Sequence, residues 1–347
     1  MHRAEIEGIF QNAANEPIDL DRVQTLTRML REAGKKASPK DRIDLAAQLA
    51  HAAFLAPDHV ADVYDTVSQA WLDRGLDADR IATVRELSEP APAGLWENFW
   101  SVVEDAADGK LDALAITERT AALGGEMPEA FVHRVAEMSH TYPGVSDAAR
   151  GDLPAKIDLE TLAQQPAGSI GAEFHHLIVS NAFDLEVLDR SEIGLAALPT
   201  PLDFLNTRIL QAHDLWHITA GYETTALHEI ALSAFQMAQF GHNYSAQFLA
   251  IVSAVGAISP ASGHKVLMDT ATTSWAHGRE TYPMMLIPWE EVWHKSAEDI
   301  RSQYSIQPYD RPYRADLIER TAPIANLIRK INSLFSIFSR KPKAVIT

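Results

Sequence analysis

The chain has 347 residues, of which 46% are hydrophobic, so it is long enough to bury one large core or two smaller ones. Its net charge of -17 repels phosphate backbones, and no basic stripe interleaved with aromatic residues is present, so a nucleic acid partner is not expected. The absence of cysteine removes disulfides and thiolate ligands together, and no glycine-rich loop motif for ATP or NAD occurs.

The N-terminal residues do not resemble a targeting signal. Residues 1–7 include two glutamates and no long apolar run, unlike a signal peptide or an arginine-rich transit peptide. We therefore expect a cytoplasmic bacterial protein or a processed mature chain.

Helical periodicity dominates the first third of the sequence. Ser38 and Pro39 offer an N-cap and a first-turn proline for a helix over 41–55, and Asp58 opens a second helix over 60–72. Alternating apolar and polar residues are scarce, so the sequence predicts an all-α, multi-helix bundle. Two prolines and a glycine near residue 90 mark either a linker or a rigid turn. We expect a helical N-terminal extension over 1–90, a helical core over 91–310 and a tail over 311–347.

The sequence His213-Asp214-Leu215-Trp216-His217 concentrates metal-binding side chains. His213 and His217 are four residues apart, so on a helix both imidazoles project from one face. Asp214 lies about a quarter turn away, close enough to bind the same ion or to hydrogen-bond a ligand. A His-x-x-x-His pair alone is often two unrelated side chains, but the adjacent aspartate favours a metal site.

A second helix brings a carboxylate to the histidines. Gly221 is a typical stop for a helix over 205–220, and Thr224 or Thr225 is a candidate N-cap for a helix over 226–239. Because such a hairpin folds back antiparallel, Glu229 is expected to face the two histidines. The sequence thus predicts a metal-binding helical hairpin at the centre of the bundle.

Residues 230–264 contain no charged side chain, but glutamines, histidine and asparagine interrupt the run, so we expect buried helices instead of a transmembrane span. The segment 248–259 is rich in small residues. Its small side chains indicate either close helix packing or a channel for a hydrophobic substrate.

The tail over 311–347 carries basic residues and no acidic residue after Glu319, with apolar residues at helical spacing from Ile324 to Phe338. This pattern is typical of an interfacial membrane anchor, or of a helix docked on the core or on a partner subunit.

With these motifs together, the chain resembles the fourth coenzyme Q (ubiquinone) biosynthesis protein family over about residues 95–310. The resemblance extends beyond the metal motif to residues 166–174, 181–184, 229–236 and 287–293 and to Ile300-Arg301. It implies an all-helical homodimer that is peripherally associated with the bacterial inner membrane and works beside other quinone biosynthesis enzymes. It also implies a metal-dependent oxidative decarboxylation of a prenylated 4-hydroxybenzoate-type ring. Carried over, the metal ligands and catalytic residues are His213, Asp214, His217 and Glu229.

The resemblance favours zinc, and the donor set also accepts iron(II) or manganese. We expect the ring to bind the metal while the prenyl tail follows the small residues of 248–259. A non-catalytic carrier or scaffold for prenylated quinone intermediates is an alternative, and a phosphohydrolase of the His-Asp type is a weaker one. Two departures stand out: His228 adds an imidazole beside Glu229, and Arg208 points away from the ligand face, where a surface ion pair is expected.

Overall fold

A computed structural model of the chain describes residues 3–83, 90–111, 113–181 and 194–320. Over these residues the secondary structure is helical and no strand occurs, which confirms the all-α prediction. The helices are α1 (Arg3–Ala14), α2 (Leu20–Ala33), α3 (Pro39–Phe54), α4 (Val60–Leu72), α5 (Leu95–Ala107), α6 (Ala113–Gly125), α7 (Glu129–Ser139), α8 (Val145–Ala148), α9 (Leu159–Ala163), α10 (Ile170–Asn181), α11 (Leu202–Ala220), α12 (Ala226–Phe240), α13 (Asn243–Ile258), α14 (Ala261–Glu280), α15 (Trp289–Val292), α16 (Ala297–Tyr304) and α17 (Leu317–Arg320).

The first four helices pack directly on the rest of the bundle. Helix α3 lies against α13 and α4 lies against α14, while α1 and α2 cover α3 and α4 from outside. Apolar side chains from both halves, such as Phe54 and Leu249, belong to one buried cluster. The described residues among 1–90 therefore contribute to the same core as the helices that follow.

The start of α4 differs from the sequence expectation. The predicted opening residue, Asp58, lies in a short 3-10 turn over Pro57–His59, and His59 occupies the N-cap position instead. The Asp58 carboxylate is buried and forms an ion pair with Arg134 of α7. An unpaired buried carboxylate costs more free energy than an uncapped helix end. The ion pair with Arg134 therefore explains why Asp58 does not cap α4.

The uncharged run over 230–264 forms buried helices, as predicted. Helix α12 packs between α13 and α14, and α13 packs mainly on α3. Ala250, Ala254 and Ala257 are at most 1% exposed, and a Cβ atom added to Gly256 would lie 2.6 Å from Leu267 Cδ1. Close helix packing thus accounts for the buried small residues of 248–259, which supports the first of the two alternatives. Within the described ranges, no helix combines the length and apolar character needed to cross a bilayer.

Three sequence expectations fall on other parts of the chain. The predicted tail helix from Ile324 to Phe338 lies outside the described residues, as do 84–89 before the proline-rich boundary and 182–184 of the family-like segment.

Candidate metal site

The two helices of the expected hairpin follow each other as predicted. Helix α11 ends at Ala220, where Gly221 adopts φ +80°, a conformation that glycine reaches without a steric penalty. After a short turn, Thr225 occupies the N-cap position of α12 in an extended conformation. A short turn over 221–225 therefore joins the end of α11 to the beginning of α12, and we call the place where the side chains of the two helices meet the corner.

Three of the four predicted ligands converge at this corner. The Nε2 atoms of His213 and His217 lie 3.3 Å apart. The Glu229 carboxylate reaches both rings, with Oε2 at 3.4 Å from His213 Nε2 and Oε1 at 3.2 Å from His217 Nε2. A tetrahedral ion bound at about 2.0–2.1 Å separates its ligands by about 3.3–3.4 Å. The spacing of these three groups therefore fits one shared ion.

Asp214 borders the same place. One ligand atom from each of His213, Asp214 and His217 lies within 4.8 Å of the others, so these three side chains form a group that could hold a metal ion. The His213 side chain is 27% exposed, whereas those of His217 and Glu229 are 3% and 8% exposed. The corner is thus closed on the His217 side and open beside His213. Metal binding by a central hairpin stays a prediction.

The electrostatics of the corner favour a cation. Burial raises the pKa of Glu229, but the nearby His217 and His213 outweigh it and bring that pKa down to about 2. Burial lowers the pKa of His217, and the Glu229 carboxylate more than compensates, so this pKa is raised. The two shifts favour a positive charge on His217 beside the Glu229 carboxylate in the metal-free protein, and a bound metal ion would put its charge in the same place.

Groups outside the donor set orient the imidazoles. His217 Nδ1 lies 3.2 Å from the carbonyl oxygen of Tyr222. Because a carbonyl only accepts, Nδ1 must donate, which leaves Nε2 to face the corner. Gln236 Nε2 lies 2.7 Å from His213 Nδ1, so the amide donates and Nδ1 accepts in the metal-free protein. Metal binding at His213 Nε2 would require the amide to turn so that its oxygen accepts from Nδ1–H.

Sequence reasoning missed both of these contacts. Gln236 follows Glu229 by seven residues, which places the two side chains on one face of a helix, so its spacing was a usable signal. The Tyr222 carbonyl belongs to the backbone of the turn, so the residue type at position 222 does not predict its contact with His217.

His228 and Arg208, the two departures from the family pattern noted in the sequence, have different partners in the structure. His228 Nδ1 accepts a hydrogen bond from the Glu223 backbone N–H at 2.7 Å, so this imidazole is held by the turn and does not join the ligand set. Arg208 forms an ion pair with Glu290, Nη1 to Oε1 at 2.7 Å, as expected for a residue off the ligand face. The pair is not fully at the surface, because the arginine side chain is only 11% exposed.

A cavity of about 230 Å³ lies beside the corner, between α6, α7, α11 and the turn from α12 to α13. Its wall includes Leu205 and Ile209, and Ile209 precedes His213 by one helical turn. The opposite wall includes Phe240, one turn after Gln236. The cavity and the cluster of metal-binding side chains therefore share the facing sides of α11 and α12.

Comparison with known proteins finds a family model that matches part of the chain. Residues 153–310 match the model of the family described as Coenzyme Q (ubiquinone) biosynthesis protein Coq4. All four predicted ligands lie inside this segment.

Individual relatives are distant. The ubiquinone biosynthesis protein COQ4 homolog, mitochondrial, of Drosophila ananassae is 26% identical over 151 residues, which cover 43% of this chain and 54% of that protein. The protein of the same name from Danio rerio is 23% identical over 153 residues, covering 44% and 54%. This chain thus spans about half the length of the curated relatives it matches. A crystal structure of a Nostoc punctiforme protein aligns with 61% of this chain and 97% of that chain, at 20% identity and a TM-score of 0.46.

Proposed function

We propose that this chain acts in quinone assembly on a prenylated 4-hydroxybenzoate-type ring held at a divalent metal ion, because residues 153–310 match the model of the Coq4 family of ubiquinone biosynthesis proteins. The proposed reaction is an oxidative decarboxylation. The ring carboxylate leaves as carbon dioxide, and a hydroxyl derived from dioxygen takes its place; a two-electron reductant converts the second oxygen atom to water.

The observation that carries the proposal is the convergence of His213, His217 and Glu229 on one point, with Asp214 at its edge. Two neutral imidazoles and the Glu229 carboxylate would supply three ligands, which leaves a fourth position for an exogenous ligand. The Asp214 carboxylate at the edge would help to balance the charge of a divalent ion. When bound, the ion would supply Lewis acidity toward a phenolate or carboxylate oxygen. Zinc is the first candidate, and iron(II) and manganese also accept these donors.

The residues of the chain would orient the ring. His217, fixed by the Tyr222 carbonyl, would form the closed wall of the site, and His213 lies one helical turn from Ile209 in the cavity wall. Ligand cavities for larger molecules span about 300–1,000 Å³. A cavity of about 230 Å³ fits a single substituted ring better than a whole prenyl tail, so the tail is expected to leave through the open side.

Gln247 offers a polar contact within this cavity. Its side chain is 2% exposed, and its Nε2 has no hydrogen-bond partner among the described residues. A buried amide N–H without a partner is costly, and a ring oxygen bound in the cavity would satisfy it. This contact would distinguish an oxygenated ring from a plain hydrocarbon.

The proposal also places the protein at the surface of the bacterial inner membrane that holds its substrate, as a peripheral homodimer beside other quinone biosynthesis enzymes. Flotation of the purified full chain with anionic lipid vesicles tests the membrane association. Its mass in solution tests the homodimer.

The decisive experiment compares the parent protein with His217→Ala and with the control His176→Ala, whose side chain lies on the exposed face of α10. Metal content, helical content and turnover of a prenylated 4-hydroxybenzoate are measured on the same samples. We expect His217→Ala to lose metal and turnover but to keep its helices, and the control to keep all three. A His217→Ala variant that retains metal and activity contradicts the site. Lipid binding without turnover by the metal-loaded parent would instead assign the chain to the carrier alternative.

A further inference from the structure

The end of α11 is held by an arginine from another helix. The last four carbonyl oxygens of any helix lack partners inside it, and His217 lies in this last turn. Arg301, in the last turn of α16, donates from Nη2 to the Ile218 carbonyl at 2.5 Å and from Nε to the Thr219 carbonyl at 2.8 Å. One guanidinium therefore caps two successive carbonyls immediately after a predicted metal ligand.

The segment that follows α16 completes the cap. The backbone N–H of Tyr309 donates to the Ala220 carbonyl at 2.8 Å, and the His217 carbonyl accepts from the N–H groups of Gly221 and Tyr222 at 3.2 and 3.0 Å. All four terminal carbonyls of α11 are thus satisfied, two of them by Arg301 alone. Fraying of this turn requires that the arginine contacts break.

The same segment also fixes the residue that orients His217. The ring of Tyr222 stacks on that of Tyr309, with centroids 4.6 Å apart. The Tyr222 hydroxyl lies 2.8 Å from Nδ1 of His277, and His277 Nε2 donates to the Gln307 carbonyl at 2.7 Å. Tyr222 is therefore anchored at its ring and hydroxyl while its carbonyl accepts from His217 Nδ1 at 3.2 Å.

We propose that Arg301 is a positioning residue for the metal ligand His217. It touches neither the predicted ion nor the cavity, and it acts by keeping the last turn of α11 wound so that the imidazole of His217 stays aimed at Glu229. Loss of groups that orient a metal ligand typically lowers metal affinity about 10- to 100-fold. The inference rests on the proposed metal site and adds a residue from outside the hairpin to it.

Arg208 provides a matched control. Arg208 joins α11 to another part of the bundle through Glu290, as Arg301 joins it to α16, but it contacts no carbonyl of the last turn. Removing either arginine changes the net charge equally. Only the loss of Arg301 should disturb His217.

The test is a titration of the metal-free full chain with Co²⁺, whose visible absorption reports the ligands around the ion. Arg301→Ala, Arg301→Lys, Arg208→Ala and the parent are compared for Kd, absorption spectrum, helical content and midpoint of unfolding. We expect Arg301→Ala to raise the Kd about 10- to 100-fold and to change the spectrum, while Arg208→Ala keeps the parent's Kd and spectrum. Arg301→Lys keeps the charge but not the planar fork that reaches both carbonyls, so its Kd should lie between those of the parent and Arg301→Ala.

A parent that does not bind Co²⁺ contradicts the proposed metal site itself. A parent that binds, together with an Arg301→Ala variant of unchanged Kd and spectrum, overturns the positioning role alone, as does an equal loss of affinity in Arg208→Ala. If Arg301→Ala does not fold, Arg301→Lys decides: a weaker Kd with parental helical content supports the role, and a parental Kd overturns it.

Discussion

The buried carboxylate of Glu229 should make a measurable contribution to the stability of the metal-free protein. Its pKa in the folded state is about 2, against 4.5 in the unfolded chain. A difference of this size corresponds to about 3 kcal/mol of folding free energy at a pH where the carboxylate is ionised in both states. Glu229→Gln keeps the volume and removes the charge, so we expect its free energy of unfolding to fall by about 3 kcal/mol.

The pH range in which Glu229 and His217 both stabilise the folded protein follows from the signs of their pKa shifts. The contribution of Glu229 is present above the unfolded pKa of 4.5 and is lost as the pH falls toward about 2. That of His217, whose pKa is raised, is fully present below its unfolded value of 6.5 and is lost as the pH rises through the folded pKa. Both contributions are therefore present at about pH 6.

Urea denaturation of chelator-treated protein at about pH 6 measures this difference. The control is Glu290→Gln, since that carboxylate also contacts α11 but its side chain is 45% exposed, and such pairs contribute less than about 1 kcal/mol. If Glu229→Gln destabilises the protein no more than Glu290→Gln does, the account of a tightly coupled buried cluster is refuted.

Three further predictions concern pH, packing and metal binding. Burial lowers the pKa of His264 to about 4, so stability should fall as the pH drops from 6.5 toward 4, because the unfolded chain takes up a proton that the folded protein refuses. His264→Leu should remove about 2 kcal/mol of the loss between about pH 7 and 5 in urea denaturation, and a parental pH slope contradicts this. A Cβ atom at Gly278 would lie 2.8 Å from the Phe235 carbonyl oxygen, so Gly278→Ala should force α12 and α14 apart and lower the free energy of unfolding by about 1–3 kcal/mol. Gly263→Ala, in an open part of α14, should instead gain up to about 1 kcal/mol, and equal effects of the two substitutions would refute the packing argument. Zinc at about 100 times its Kd should raise the free energy of unfolding by about 2.7 kcal/mol in the parent and not in His217→Ala, as measured by thermal unfolding; equal stabilisation of both proteins would contradict the site.

Local sequence signals were sufficient for the parts of the site that lie within one turn of helix. The four-residue spacing of His213 and His217 fixed their common face, and Gly221 correctly marked the end of α11. The prediction that Glu229 faces the two histidines followed from the pair of helices that these signals indicate. Each of these features depends on residues that are close together in the chain.

Contacts between distant segments could not be read in the same way. The backbone N–H of Ala226 is bonded by the carboxylate of Glu319, and Thr225 uses its hydroxyl on the Ala315 carbonyl instead of capping α12. Arg301 reaches α11 from 82 residues away. Such pairings depend on how whole helices pack, and a single sequence has no period or spacing that encodes them.

Packing also decided the role of the small residues in α13. Their spacing equally suits a close helix contact and an apolar channel, and only the position of α3 and α14 selects the first. The cavity lies instead at the first turn of α13, where His242 and Gln247 contribute to its wall. The location of empty space depends on all the surrounding helices at once.

The central claim is that His213, His217 and Glu229, with Asp214 at their edge, share one divalent ion. Crystals of the full chain grown with zinc, and measured on both sides of the zinc absorption edge, test it most directly. We predict one strong anomalous peak about 2.0–2.2 Å from Nε2 of both histidines and from an oxygen of Glu229. A map without a peak at this corner, with the three side chains still paired only to one another, would contradict the account.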